Sequence, residues 1–185
     1  MTKEVLREGE RKMQGIIEAT KYEFSTVRTG RANPALLDRI QAEYYGTMTP
    51  LNQMANISAP EARLLLIQPW DKNAIKDIER AILKSDLGLT PNSDGSVIRI
   101  PIPALTEERR KDLVRLVRKG AEDNRIAIRN IRREANENLR LLEKDSTISE
   151  DARHRAENEV QELTNKYIEQ INQLLEAKEE EIMEV

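Results

Sequence analysis

Residues 111–133 read Lys111-Asp112-Leu113-Val114-Arg115-Leu116-Val117-Arg118-Lys119-Gly120-Ala121-Glu122-Asp123-Asn124-Arg125-Ile126-Ala127-Ile128-Arg129-Asn130-Ile131-Arg132-Arg133. The apolar residues recur at spacings of three and four, the period of an amphipathic helix. The repeat continues through Ala135, Leu139 and Leu142. Thr106 is a plausible N-cap, and Glu107 and Glu108 stand in the first turn, where acids suit the helix dipole. A helix of some forty residues is long, about 60 Å at 1.5 Å per residue. Its stripe needs a partner of similar length.

That partner follows. Lys144-Asp145-Ser146-Thr147-Ile148 reads as a turn and Ser149 as a second N-cap, with Glu150 and Asp151 behind it. Ala156, Val160, Leu163, Tyr167, Leu174 and Ala177 form the next stripe, widened by Ile168, Ile171, Leu175 and Ile182. The short turn makes the two helices antiparallel. A third helix is predicted over Lys3–Val27, from Val5, Leu6, Met13, Ile16, Ile17, Phe24 and Val27. Three such stripes bury one another as a bundle.

The middle is different. All seven prolines lie between Pro34 and Pro103, and proline costs a helix interior about 3 kcal/mol. Strands are expected over Arg39–Tyr45, Met48–Leu51, Met54–Ser58, Arg63–Gln68 and Val97–Ile102. Ser93-Asp94-Gly95-Ser96 reads as a hairpin turn. A short helix over Ala74–Leu83 is expected, capped by Asp71 or Asn73 and ended by Gly88. The fold class is therefore α+β: a long three-helix bundle (residues 1–30 and 105–185) with a small inserted α/β domain (31–104), of β/α/β build. Two chain crossings join the parts, Arg28-Thr29-Gly30-Arg31-Ala32-Asn33-Pro34 and Ile102-Pro103-Ala104-Leu105. They are expected to form a two-stranded hinge. Gly30 reads either as backbone freedom at that joint or as a simple helix stop.

Composition narrows the function. The 185 residues contain no cysteine, which excludes thiol catalysis, disulfide scaffolds and zinc ribbons. No stretch approaches the roughly 20 apolar residues of a membrane span. The N-terminus has no signal core, so a cytoplasmic protein is expected. His154 is the one histidine and reads as a surface residue. No phosphate-binding glycine loop or nucleophile–base pair is present. No enzyme activity, cofactor or metal is expected.

Charge is the remaining signal. The net charge of −3 hides +5 over residues 105–133 and −9 over 134–185. On a helical wheel Arg118, Arg132, Arg129 and Lys111 fall within about 40° of Arg125, and Arg115 and Arg133 within about 80°. This stripe lies roughly 125° from the apolar face and is expected to face solvent, interrupted by Glu122 and Glu143. Guanidinium groups at one-turn spacing suit phosphates. An ordinary solvated face, or pairing with the acidic final helix, fits the residues equally well. No aromatic interleaves with the stripe, which favours structured RNA read through phosphates over stacking on unpaired bases. A helical scaffold that binds protein is the alternative class.

Several motifs resemble the ribosome recycling factor family: Arg28–Pro34, Glu43-Tyr44-Tyr45-Gly46, Ser85-Asp86-Leu87-Gly88-Leu89, Leu105-Thr106-Glu107-Glu108-Arg109-Arg110, Arg129-Asn130-Ile131-Arg132-Arg133 and Lys178-Glu179-Glu180-Glu181-Ile182-Met183. They span essentially the whole chain in order. Ala42 and Trp70 stand where other hydrophobic residues are common in the family. The resemblance implies an L-shaped monomer the size of a transfer RNA. It would bind the post-termination ribosome on large-subunit RNA near the intersubunit bridge. With elongation factor G, which hydrolyses the GTP, it would split the subunits and release mRNA and deacylated tRNA. Arg129, Arg132 and Arg133 carry over as RNA contacts, with Arg110, Arg28 and Arg31 as weaker candidates; Arg125 and Arg118 join them as members of the stripe. Arg31 reads equally as a residue that orders the hinge locally. Gly30, Asn33, Pro34, Pro103 and Ala104 would form the hinge.

Overall fold

The computed structural model describes residues 1–184. The chain forms four α-helices and six strands among these residues: α1 (Thr2–Ser25), β1 (Gln41–Tyr44), β2 (Thr47–Pro50), β3 (Ala55–Glu61), β4 (Leu64–Pro69), α2 (Ile75–Lys84), β5 (Asn92–Ser93), β6 (Ile98–Pro101), α3 (Glu107–Lys144) and α4 (Glu150–Met183). It divides into two compact units. One comprises Met1–Val27 with Lys111–Met183; the other comprises Arg28–Arg110 and Glu184.

The first unit is a bundle of α1, α3 and α4. α1 buries Gly9, Met13, Ile17, Thr20 and Phe24, a stripe at helical spacing. α3 contributes Leu113, Val117, Ala121, Ile128, Ala135 and Leu139. α4 contributes Ala156, Val160, Thr164, Tyr167, Ile171 and Ile182. Each large aliphatic removed from water here stabilises the fold by about 1.5–3 kcal/mol. α3 runs antiparallel to both neighbours. Asn124 on α3 donates to Thr20 on α1 at 2.8 Å, and Lys12 on α1 meets Glu134 on α3 at 2.7 Å. Both expected caps are present: Thr106 Oγ1 accepts from Arg109 N at 3.1 Å and Ser149 Oγ from Ala152 N at 3.1 Å. Arg153 braces the turn between α3 and α4, with Glu157 Oε1 at 3.0 Å and Glu143 on its other side.

α1 stops at Ser25, two residues before the predicted end at Val27. Ser25 Oγ donates to Tyr22 O at 2.6 Å and Thr26 Oγ1 to Glu23 O at 2.7 Å. These hydroxyls satisfy carbonyls that a further turn would have used.

In the second unit every strand pair is antiparallel. β1 and β2 form a hairpin, and the larger sheet has the order β3-β4-β6-β5. The β1–β2 turn holds Tyr45 at φ 50° and Gly46 at φ 80°. Positive φ at both central residues matches the twist of a tight hairpin. The β3–β4 register shifts between Ser58 and Glu61, where Pro60 has no N–H to give the ladder. Leu65, Ile67, Ile98 and Ile100 from the sheet meet Ile75, Ile78 and Ile82 of α2 in one core.

The expected end of α2 needs correction here. α2 ends at Lys84, not at Gly88, because Ser85 Oγ donates to Ile82 O at 2.6 Å and closes the last turn. Of the two expected caps Asp71 is the one observed, accepting from Asn73 N at 2.9 Å before a 3-10 turn over Lys72–Ala74. Gly30 has no positive φ, and α1 has already ended five residues earlier. Gly30 is therefore not the residue that stops α1.

The two chain crossings are held by adjacent carbonyls of the β3–β4 turn. Ala32 N donates to Ala62 O at 2.6 Å and Ile102 N to Arg63 O at 2.7 Å. Asn33 Oδ1 accepts from Ala35 N at 3.0 Å and caps a 3-10 turn over Pro34–Leu37. Pro103 and Ala104 are exposed and lie outside regular structure.

Candidate nucleic-acid interface

The arginines of α3 differ in what they hold. Arg118 Nε donates to Glu179 Oε1 of α4 at 2.5 Å. That carboxylate raises the Arg118 pKa, chiefly through the hydrogen bond. Arg125 Nε donates to Asn172 Oδ1 of α4 at 2.8 Å, and its Nη1 to Glu122 Oε2 at 3.0 Å. Arg129 Nη1 donates to the other oxygen of Glu122 at 3.3 Å. The hydrogen bond from Arg125, with a lesser one from Arg129, holds the Glu122 carboxyl below the usual carboxylate range.

Arg132 and Arg133 are different. Arg132 Nη1 meets Gln161 Oε1 at 3.3 Å, and Arg133 Nη1 meets Asn130 Oδ1 at 3.2 Å. These acceptors are neutral amides. The positive charge of the stripe is therefore compensated toward Arg118 and left open toward Arg133. A guanidinium facing an amide keeps its full charge for an incoming phosphate.

The expected solvent-facing stripe thus needs a correction at Arg125. Its side chain is 18% exposed and packs toward α4. The wheel places an angle relative to one apolar face, whereas α4 reaches round to the flank of α3. Pairing with the acidic final helix, one of the two readings left open by composition, holds for Arg118.

The remaining candidates lie in the second unit. Arg28 is half-buried, and its Nη1 donates to Leu87 O at 2.6 Å. It ties the entering chain to the loop after α2 and points inward. Arg110 is half-buried, with Nε buried and unbonded. Arg31 is exposed, 3.5 Å from Glu184.

A cluster that the sequence did not announce sits at the β1–β2 turn. Tyr44 and Tyr45 donate to the same oxygen of Asp71 at 3.1 and 3.0 Å, their rings edge to face with centroids 4.5 Å apart. Tyr45, Met48 and Trp70 are all exposed. The adjacent aromatic pair is visible in the sequence, but nothing local links Tyr45 to an aspartate 26 residues away.

No group of three or more acidic or histidine side chains is placed to hold a metal ion among the described residues. No helix is long and apolar enough to cross a membrane. The chain thus combines a two-unit α+β fold with a charged surface along α3. The chain belongs to the ribosome recycling factor family, whose family model matches residues 20–183. It is 62% identical over 185 residues to the ribosome-recycling factor of Halalkalibacterium halodurans and 56% identical to that of Bacillus subtilis, each alignment covering both chains completely. A solution structure of a ribosome recycling factor matches 100% of this chain and 98% of its own, with a TM-score of 0.79 at 46% identity. A second structure presents the Thermus thermophilus factor with Escherichia coli elongation factor G on the E. coli post-termination complex. It covers 99% of both chains, with a TM-score of 0.69 at 51% identity.

Proposed function

We propose that this chain recycles ribosomes. It binds the post-termination complex and, together with elongation factor G, separates the subunits and frees mRNA and deacylated tRNA. GTP hydrolysis belongs to the elongation factor; this chain contributes binding and mechanical coupling, and it works in the cytoplasm as a monomer. Family membership over the whole length supports the role. The observation that carries the anchoring step is the uncompensated charge of Arg132 and Arg133, which hold amides where Arg118 and Arg125 hold carboxylates.

The residues divide by role. Arg129, Arg132 and Arg133 anchor the bundle on large-subunit RNA through charge-assisted bonds to phosphate. Arg118 holds α3 against α4 and contributes to RNA binding indirectly; Arg125 holds the same seam through Nε and keeps Nη1, now on Glu122, for the RNA side. Arg110 and Arg31 lie beside the chain crossings, where they can meet RNA or order the joint. Arg28 supports the second unit from within. The bundle domain (1–30 and 105–185) stays on RNA while the inserted domain (31–104) turns about Gly30, Asn33, Pro34, Pro103 and Ala104.

Light scattering of post-termination ribosomes tests this reading. A drop that needs this chain, elongation factor G and GTP together is expected. No drop and no binding would refute it and favour a protein scaffold. A salt titration separates the two, because phosphate anchoring weakens steeply with salt.

A further inference from the structure

We propose that Glu122 is a built-in competitor for the phosphates that Arg125 and Arg129 could otherwise take, and that it limits how tightly the factor holds RNA. The inference rests on the anchoring reading above.

Glu122 lies on the cationic side of α3, about 60° from Arg125 on the helical wheel. Its two oxygens are divided between two arginines: Oε2 accepts from Arg125 at 3.0 Å and Oε1 from Arg129 at 3.3 Å. A phosphate offers the same chemistry, two anionic oxygens for guanidinium donors. The carboxylate is half exposed, so it stands at the surface a phosphate would approach. A phosphate docking beside Arg129 either displaces Glu122 or sits against a like charge.

The contrast along the helix gives the arrangement meaning. Arg132, three residues beyond Arg129, faces Gln161, and Arg133 faces Asn130. Those acceptors hold position without cancelling charge. The stripe is graded: one end is open to phosphate, and its middle is occupied by the chain's own anion. An exposed ion pair is weak, so phosphate can win it. When phosphate leaves, Glu122 is in place to recapture both guanidinium groups. A factor that must leave after each round gains from such a competitor, because it discourages lasting attachment to polyanions.

Glu122→Gln tests this directly. The amide keeps an acceptor oxygen and removes the charge. Binding of the full-length variant to post-termination ribosomes is measured across a salt series, with dissociation followed after dilution. Affinity at low salt is expected to rise roughly three- to tenfold. The log–log salt slope should steepen by about 0.9, the value of one further phosphate contact, and dissociation should slow. Glu134→Gln is the control. It removes the same charge from the same helix, on the opposite side, where Glu134 pairs with Lys12; little change in slope is expected. Unchanged or weaker binding by Glu122→Gln, with helix content and melting intact, would overturn the competitor role. Equal steepening by Glu134→Gln would also overturn it, since net charge alone would then explain the gain. If the unaltered chain fails to bind ribosomes, the anchoring reading falls and takes this inference with it.

Discussion

Arg125 Nε and Asn172 Oδ1 stand 2.8 Å apart and join α3 to α4 from the middle of the cationic stripe. The charged surface and the bundle's packing therefore share a side chain. Hydrogen bonds to charged groups contribute about 1.5–3 kcal/mol; with partial exposure, Arg125→Ala should cost the bundle roughly 1 kcal/mol. A urea melt followed at 222 nm would read this. Asn172→Ala should give a similar loss, and the double variant less than the sum. Additive losses would show that the pair does not couple.

Arg132 should behave in the opposite way. Arg132→Glu is expected to abolish ribosome binding while helix content and melting temperature stay unchanged, because its partner is an exposed amide. Charge reversal at Arg129 and Arg132 together is the stricter test. Binding that survived it would remove RNA anchoring from α3.

Arg28→Met should act on the second unit alone. Losing the 2.6 Å bond to Leu87 O frees the loop between α2 and β5. Amide exchange over residues 85–89 should quicken, with a smaller loss of ribosome affinity than Arg132→Glu gives. Unchanged exchange would return Arg28 to the list of surface contacts.

Two glycines should respond differently to alanine. Gly30 is not in the left-handed region, and an added Cβ would meet Leu105 at 3.9 Å, ordinary contact. Gly30→Ala should shift stability by no more than about 0.5 kcal/mol, so any slowing of subunit splitting would report the joint. Gly46 has φ 80°, where a side chain costs roughly 1–2 kcal/mol. Trp70 is the one tryptophan and lies in the second unit, so its emission follows that unit's melting.

The Asp71 cluster predicts a pH window for the second unit. The backbone bond from Asn73, then the hydroxyl of Tyr45, hold Asp71 below its ordinary value of 3.8. A depressed carboxyl gives stability that is present above that value and lost as pH falls through it. Burial and then Asp71 raise Tyr44 above 10.0, and the bond to Asp71 chiefly raises Tyr45. A raised phenol gives stability present below 10.0 and lost as pH rises past it. Asp71→Asn should flatten both limbs of the Trp70 melting profile. Unaltered limbs would assign them to other groups.

Much of this fold is legible in the sequence because it rests on local rules. The prolines confine long helices to the two ends, and Thr106 and Ser149 cap where expected because capping needs only four consecutive residues. The end of α2 is missed because Ser85 closes the turn with its own hydroxyl before Gly88 is reached. The site is legible as composition and periodicity, and less so as geometry. Helical spacing aligns the arginines, but it does not tell which of them meet Glu179, Asn172 or Gln161 from a helix some thirty to sixty residues away. Glu122 was visible as an interruption of the stripe. Its role emerges only when both of its oxygens are seen to be taken.

Ala62 and Arg63 are neighbours in sequence, and their carbonyls receive the entering chain at Ala32 and the leaving chain at Ile102. Once the second unit is folded, α1 and α3 are tethered as if by a short loop. When it melts, the same tether becomes a floppy chain of some eighty residues, and closing it costs the bundle on the order of 2 kcal/mol more. The two units thus influence each other's stability through chain entropy alone, without a single side chain having to touch. A substitution deep in the sheet, such as Ile67→Ala, can loosen the helices at a distance for no reason other than slack.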